Sequence, residues 1–271
     1  MAIKLIALDC DGTLLDDKGK VLNSSVKAIE RAKRKGCKIV LVTGRPYVST
    51  KPILEKLGLD NRKDEYVALF HGAVLQDTAG NVLSTTTLTL KDFIDLDLYA
   101  INQGINMVAE TPDCIYTTTG DLDLFVSFES YKNKLPIKVR ILTQFLGMED
   151  IMHVYKILLV GKKEKLDKIQ RNIPGWMKDR FTIARSEDYC IDISAKQISK
   201  GWALEQLADK LKIKPTEIMA FGNADNDISM IKYAKLGIAM SNSSPALLKN
   251  ADATTASNND DGIAKAIASY L

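Results

Sequence analysis

The sequence predicts an α/β protein, a doubly wound parallel sheet with a separate α+β domain inserted into it. Three observations predict that class. Short apolar, β-branched runs alternate with amphipathic helical stretches over residues 3–70, the same alternation returns over residues 199–270, and the texture between Gly80 and Asp188 matches neither. Buried strands alternating with amphipathic helices are the pattern of a parallel sheet covered on both faces.

Residues 3–8 read as a buried strand, and a helix opened by Asn23 or Ser24 carries Val26, Ile29 and Ala32 to a stop at Gly36. Residues 37–42 form a second strand, residues 46–57 a helix with Pro46 at its start and Gly58 at its end, and residues 66–70 a third strand. In the middle region, residues 82–90, 122–128 and 155–160 read as strands mixed with two helical stretches. Ser199 then caps a helix bearing Leu204, Leu207 and Leu211, followed by a strand at 217–221, a helix at 227–234 and a strand at 236–240. Ser244-Pro245 opens a short helix, residues 251–256 form a last strand, and residues 261–270 a last helix. These units assemble a Rossmann-like core from residues 1–82 and 189–271, with the inserted domain at 83–188. Trp176 and Phe181 belong to the core of the insertion or to an interface, and core is the reading expected. No period of about 20–50 residues recurs, which excludes a repeat protein.

With 46% hydrophobic and 26% charged residues the chain can bury a core, which excludes disorder. The formal net charge is only +3, and the basic clusters at 31–35 and 162–165 lack interleaved aromatics. They read as solvated helix faces, and nucleic acid is not expected as a partner. Cys10, Cys37, Cys114 and Cys190 stand far apart, with no paired spacing and no histidine at a zinc-ligand distance, so buried reduced thiols are expected. The N-terminal apolar run meets Asp9 too early for a secretion signal or a membrane helix, so a cytoplasmic protein with no membrane partner is expected.

The sharpest chemical signal is Asp9-Cys10-Asp11-Gly12-Thr13 at the end of the first strand, because ligands of parallel α/β sheets bind beyond the carboxyl ends of the strands. Two acids two positions apart can both face that crevice, and Gly12 permits the turn that follows. Their mutual repulsion is most easily relieved by a divalent cation, and hard oxygen ligands suit Mg2+. Alone, the pentapeptide reads equally as a strand-ending turn. Thr43-Gly44-Arg45 offers a hydroxyl, a glycine amide and a helix N-terminus to phosphate oxygens, or is a plain capped turn. Ser199-Lys200-Gly201 puts a cation in the first turn of a helix, its unfavourable end unless an anion stands nearby, or leaves a lysine in water. Gly222-Asn223-Ala224-Asp225-Asn226-Asp227 follows a strand and opens a helix, so its oxygens face the same crevice or merely cap that helix. Four such coincidences at strand ends point together to a phosphoryl site.

In that order the four clusters resemble the four motifs of the haloacid dehalogenase superfamily, and most closely its Cof-type sugar-phosphatase branch, subfamily IIB, which carries an α/β cap. The resemblance spans nearly the whole chain, with the inserted domain where that branch has its cap. It implies a Mg2+-dependent phosphatase acting on a small phosphorylated metabolite, a sugar phosphate first, through an aspartyl-phosphate intermediate. By the resemblance Asp9 is the nucleophile and Asp11 the general acid and then base. Cys10, Thr43, Gly44 and Arg45 would hold the phosphoryl group, and Lys200 and Asn226 would offset its charge. The metal would take Asp9, the Asp11 carbonyl, Asn223 and Asp227, the last also orienting Lys200. Specificity would come from cap residues.

Two positions depart from the family pattern. Asn223 stands where Asp is common and brings an amide oxygen without a negative charge. His71, before Gly72-Ala73, stands where many relatives have Asn and reads as a hydrogen-bonded residue at the core-to-cap crossing rather than a general base. A phosphomutase with the same aspartate chemistry is one alternative, and a non-catalytic phosphometabolite sensor, motivated by Asn223, is another. A nucleotide-cofactor protein is not expected, since neither a GxGxxG nor a GxxxxGK[ST] loop follows the first strand.

Overall fold

The computed structural model describes residues 2–148 and 152–271, in which the chain forms two compact units. One comprises residues up to Arg45, Thr50–Thr85 and Ser199–Leu271, and the other Thr86–Ile198 with Pro46–Ser49. In chain order the first part holds β1 (Leu5–Leu8), α1 (Asn23–Arg34), β2 (Lys38–Val42), α2 (Tyr47–Lys56), β3 (Tyr66–Leu69), β4 (Val74–Asp77) and β5 (Val82–Thr85). The middle holds α3 (Leu90–Gln103), β6 (Asn106–Glu110), β7 (Ile115–Thr117), α4 (Leu124–Asn133), β8 (Ile137–Val139), β9 (Lys156–Val160), α5 (Lys163–Arg171), α6 (Gly175–Arg180), β10 (Phe181–Glu187) and β11 (Cys190–Ala195). The last part holds α7 (Lys200–Leu211), β12 (Ile218–Gly222), α8 (Ile228–Tyr233), β13 (Leu236–Ala239), α9 (Pro245–Asn250), β14 (Ala253–Thr254) and α10 (Gly262–Tyr270). The α/β class expected from the sequence is the class observed.

The core sheet runs β14-β13-β12-β1-β2-β3-β4-β5. Every pair from β14 to β3 is parallel, while β4 and β5 are antiparallel, so the expected all-parallel sheet ends at β3. The physical reason is local: Phe70, His71 and Gly72 all have positive φ (50°, 58° and 101°) and turn the chain back directly, without the crossover that a parallel neighbour requires. Leu5, Ala7, Val40 and Val42 pack on one face with Leu204 and Leu207 of α7 and Met230 and Ile231 of α8. The alternate residues Ile6, Leu8, Ile39 and Leu41 are buried as well, so both faces are covered. Between β1 and β12 the strand order reverses direction, which opens the crevice at their carboxyl ends.

The other unit, the cap, has a six-stranded sheet, β10-β11-β9-β6-β7-β8, antiparallel except for β7 beside β8. One face (Met107, Ala109, Ile157, Leu159, Ile191, Ile193) packs on Phe93 and Leu96 of α3, Leu166 of α5 and Met177 of α6. The opposite face, Val108, Leu158, Val160 and Cys190, packs on Val126 of α4. Phe181 is buried in this core, whereas Trp176 is 37% exposed and meets it edge-on at 6.2 Å.

Several expectations for the cap are corrected. Residues 122–128 were read as a strand but enter α4: the Asp123 side chain caps the helix by accepting from the Val126 N–H at 3.0 Å, and Val126, Glu129 and Asn133 share its buried face. Strand β5 stops at Thr85, because Thr89 and Asp92 form a reciprocal cap that starts α3. Among the described residues, four α-helices stand where two helical stretches were expected. The return to the core, expected at residue 189, comes at Ser199, because β11 is paired on both sides within the cap sheet.

Candidate active site

The four clusters singled out in the sequence meet within the core unit at the carboxyl ends of β1, β2 and β12 and the first turn of α7. Asp9 directly follows β1, and its N–H continues the ladder by donating to the Phe221 carbonyl of β12. Asp9 is 5% exposed, and its Oδ1 accepts from Lys200 Nζ at 2.6 Å. Burial pushes the Asp9 carboxyl up to about 7, the charge of Asp227 adds to the rise, and Lys200 opposes it.

Lys200 is 2% exposed and also donates to Asp227 Oδ1 at 2.5 Å. Flanked by two carboxylates it is held well above the ordinary lysine range, although burial alone would lower it. The anion that a lysine at a helix N-terminus demands is thus supplied by the protein itself. Ser199 caps α7 by accepting from the Trp202 N–H at 3.1 Å, and Gly201 N–H donates to Ser229 Oγ at 2.9 Å.

Asp227 is fully buried, and its Oδ2 accepts from the N–H groups of Asn223 (2.9 Å) and Ala224 (3.0 Å). Both its oxygens accept hydrogen bonds, so it supports Lys200 and shapes the loop after β12. Asp225 Oδ1 accepts from Ser244 Oγ at 2.5 Å. Asn226 Oδ1 is buried without a hydrogen-bond partner among the described residues, which leaves its amide with bonding capacity.

One end of the Asn223 amide points at Asp9, Asp11 and Thr13. With oxygen at that end, Oδ1 accepts from Thr13 Oγ1 at 2.9 Å; with nitrogen there, the amide donates to the Asp11 carbonyl at 2.9 Å, to Asp9 Oδ2 at 3.2 Å and to Thr13 Oγ1 at 2.9 Å. Gly12 (φ 71°) closes the turn beside it, and a Cβ there would run into that amide. Among the described residues no three His, Cys, Asp or Glu side chains form a metal-holding group. A cation here would instead draw on a carboxylate oxygen, a backbone carbonyl and, with the amide oxygen turned inward, Asn223 Oδ1. Three hard oxygens around one point fit Mg2+.

Asp11 is gripped by Arg45, with Nε on Oδ2 at 2.8 Å and Nη2 on Oδ1 at 2.6 Å, a bidentate pair that fixes the carboxylate plane. Thr43 is fully buried, its Oγ1 accepting from the Arg45 N–H at 3.2 Å and its carbonyl from the His71 N–H at 2.9 Å. The His71 ring lies against Gly44, where any Cβ would sit about 2.5 Å from it, so the close approach requires glycine. Cys10 is fully buried, and burial pushes its thiol up to about 12, which leaves an inert sulfur and a carbonyl that accepts from the N–H groups of Thr13, Leu14 and Leu15.

Three supporting groups were missed in the sequence. Asn242 donates to the Gly12 carbonyl at 2.9 Å, Ser243 to the Gly222 carbonyl at 3.3 Å, and Ser244 N–H to the Asn223 carbonyl at 2.8 Å. They lie just past β13, and a polar Ser-Asn-Ser-Ser run at the end of a parallel strand is the signal that could have found them.

The family model described as haloacid dehalogenase-like hydrolase matches residues 6–267. The chain belongs to the haloacid dehalogenase-like hydrolases. It is an enzyme of their phosphatase type, in the Cof-type branch that the motifs resembled. It is 36% identical over 265 residues to YxeH of Bacillus subtilis, a protein named as a phosphatase, covering 97% of each chain. It is 29% identical over 271 residues to YitU of the same organism, named as a 5-amino-6-(5-phospho-D-ribitylamino)uracil phosphatase, covering 98% of this chain and 97% of that one. A solved haloacid dehalogenase-like hydrolase from Bacillus subtilis superposes with a TM-score of 0.84 at 28% identity, over 99% of this chain and 100% of the other. No helix among the described residues is long and apolar enough to cross a membrane.

Proposed function

We propose that this phosphatase hydrolyses monoesters of small phosphorylated metabolites, sugar phosphates first, through an aspartyl-phosphate on Asp9 with Mg2+ as cofactor. The observation that carries the reading is the Asp9 carboxylate itself. One oxygen rests on Lys200 at 2.6 Å, the other lies beside the Asn223 amide, and the whole stands at the carboxyl end of a central parallel strand. Phosphoryl transfer needs positioning and charge stabilisation above all, and the surroundings of Asp9 supply both.

Asp9 attacks phosphorus, and the bond from phosphorus to the leaving oxygen breaks. Asp11 donates a proton to that oxygen and then takes one from the water that hydrolyses the Asp9 ester. Arg45 holds Asp11 in place for both transfers, and the substrate phosphate competes for the same guanidinium. Lys200 favours the ionised, attacking form of Asp9 against the effect of burial, and Asp227 keeps Lys200 in position. Thr43, the Gly44 backbone and the Asn226 amide are the groups for the remaining phosphoryl oxygens. Asp9, the Asp11 carbonyl and Asn223 Oδ1 would hold Mg2+, which when bound supplies charge neutralisation to the phosphoryl group.

The sugar-phosphate preference draws support from the relative whose named substrate carries its phosphate on a ribityl chain. The test is phosphate release by the full chain from a panel of sugar, ribityl and nucleoside phosphates, with Mg2+ and with EDTA. Turnover of a sugar or ribityl phosphate that stops in EDTA is expected. Release unaffected by EDTA would overturn the Mg2+ assignment, and no release from any ester would overturn the substrate class.

A further inference from the structure

The cap carries a cavity of about 1050 Å3 at the end of its sheet where β6 begins and β9 finishes. Its walls are the second half of α3, the stretch from β7 into α4, and the turn after β9. Ile101, Leu124 and Ile141 line it although 57%, 77% and 63% exposed, an unusual share of apolar surface left uncovered in one hollow. Phe125 and Leu142 complete the apolar wall.

Asp97, on α3, also lines the cavity and is only 1% exposed. Its Oδ1 accepts from Thr118 Oγ1 at 2.7 Å, while its Oδ2 is buried and has no hydrogen-bond partner among the described residues. Buried polar atoms are almost always paired, and a carboxylate offers about four acceptor sites, so an idle oxygen at a cavity wall calls for a donor from outside the chain. Burial raises the Asp97 carboxyl, and a cation brought against it would offset that cost. Of the other charges on the wall, Asp123 caps α4 and Lys165 donates to the Gly104 carbonyl, while Asp121 and Lys162 also line the cavity.

We propose that this cavity is a second ligand site, one that binds a small organic amine with its ammonium on Asp97 and its apolar body along Ile101, Ile141 and Leu142. A mostly apolar hollow with one convergent polar anchor is the usual form of a small-molecule site. The site shares no residue with the Asp9 crevice, so its ligand need not be a phosphate ester. Lys162, on the same wall, is the cation available to a ligand that also carries a carboxylate, which makes simple amines and amino acids the two sources of the shared ammonium.

The test is calorimetric titration of the full chain with isoamylamine, phenethylamine, leucine and phenylalanine. Saturable binding of at least one is expected, and its affinity should fall roughly tenfold or more in Asp97→Asn, the scale of a lost hydrogen bond to a charged group. Ile141→Lys, at an exposed position, should weaken binding in the same direction while leaving the fold intact. Preference for the amino acids over the amines supports the site and assigns Lys162 to the carboxylate; the reverse preference supports a simple amine. No saturable binding of any of the four, or equal affinity in the wild type and Asp97→Asn, overturns the proposal whatever the phosphatase assays give.

Discussion

Two buried lysines, one in each unit, stand in nearly the same electrostatic setting but in different surroundings. Lys200 in the core lies between Asp9 and Asp227 at 2.6 and 2.5 Å, and Lys156 in the cap between Glu110 and Asp192 at 3.1 and 3.4 Å. Burial raises a carboxyl to about 7 in both, Asp9 in one and Glu110 in the other. The neighbours differ. Around Asp9 stand a backbone carbonyl, an amide, a glycine turn and a threonine at the ends of parallel strands. Around Glu110 the sheet is closed over by α4, whose Asn133 donates to Glu110 at 2.7 Å and to Glu129 at 3.0 Å, and Tyr189 donates to Glu129 at 2.7 Å. A perturbed carboxyl beside a buried lysine is therefore not by itself enough to mark a site; what sets the core cluster apart is its placement at the ends of parallel strands, with polar groups gathered from four separate segments.

The largest expected contrast is in turnover. Asp9→Asn should lower phosphate release by at least about a thousandfold with the fold retained, since the nucleophile is lost and the size is not. A retained rate would break the assignment of the core cluster. Lys200→Met and Lys156→Met should each destabilise by about 3–5 kcal/mol, the cost of stranding buried carboxylates, as read by denaturant unfolding. Only Lys200→Met should also abolish turnover per folded molecule; equal losses from both would erase the distinction between the two clusters.

A smaller effect concerns pH. The Glu110 carboxyl is raised from 4.5 to about 7 in the folded protein, so between those values the folded state binds more protons than the unfolded one. Its contribution to stability is present below about pH 4.5 and declines as pH rises through about 7. Glu110→Gln should flatten that decline, by up to about 3 kcal/mol at 1.36 kcal/mol per pK unit, in melting curves recorded from acid to neutral pH. An unchanged slope would mean that Lys156 keeps Glu110 ionised throughout. The smallest expected change is in metal affinity: Asn223→Asp adds one charge to the proposed ligand set and should tighten Mg2+ binding by about tenfold in calorimetric titration. No change would mean that residue 223 does not ligate.

The core cluster was legible in the sequence because each of its parts falls at a strand end or helix start within a short motif: Asp9 and Asp11 after β1, Thr43 after β2, Lys200 opening α7, Asn223 to Asp227 after β12. Parallel α/β architecture brings such positions together by rule, so one-dimensional order sufficed. The cap cluster was not legible. Glu110, Lys156 and Asp192 come from three strands whose pairing is set by sheet register, and nothing local in the chain announces it. For the same reason the apolar residues of α4 passed for a strand: Leu124 to Val126 lack a helical period, and the Asp123 cap decides the outcome. The Asp11–Arg45 pair was also invisible, since both residues had been assigned to substrate and neither to the other.

The most direct test of the central claim, covalent chemistry at Asp9, is rapid mixing of Asp11→Asn with p-nitrophenyl phosphate. That leaving group needs no proton, so Asp9 can still be phosphorylated, while the base that activates water is gone. A burst of about one equivalent of p-nitrophenolate per chain followed by a slow phase, with the phosphoryl group recovered on the peptide containing Asp9, is the predicted result. Product formation without a burst and without any adduct on that peptide would contradict it.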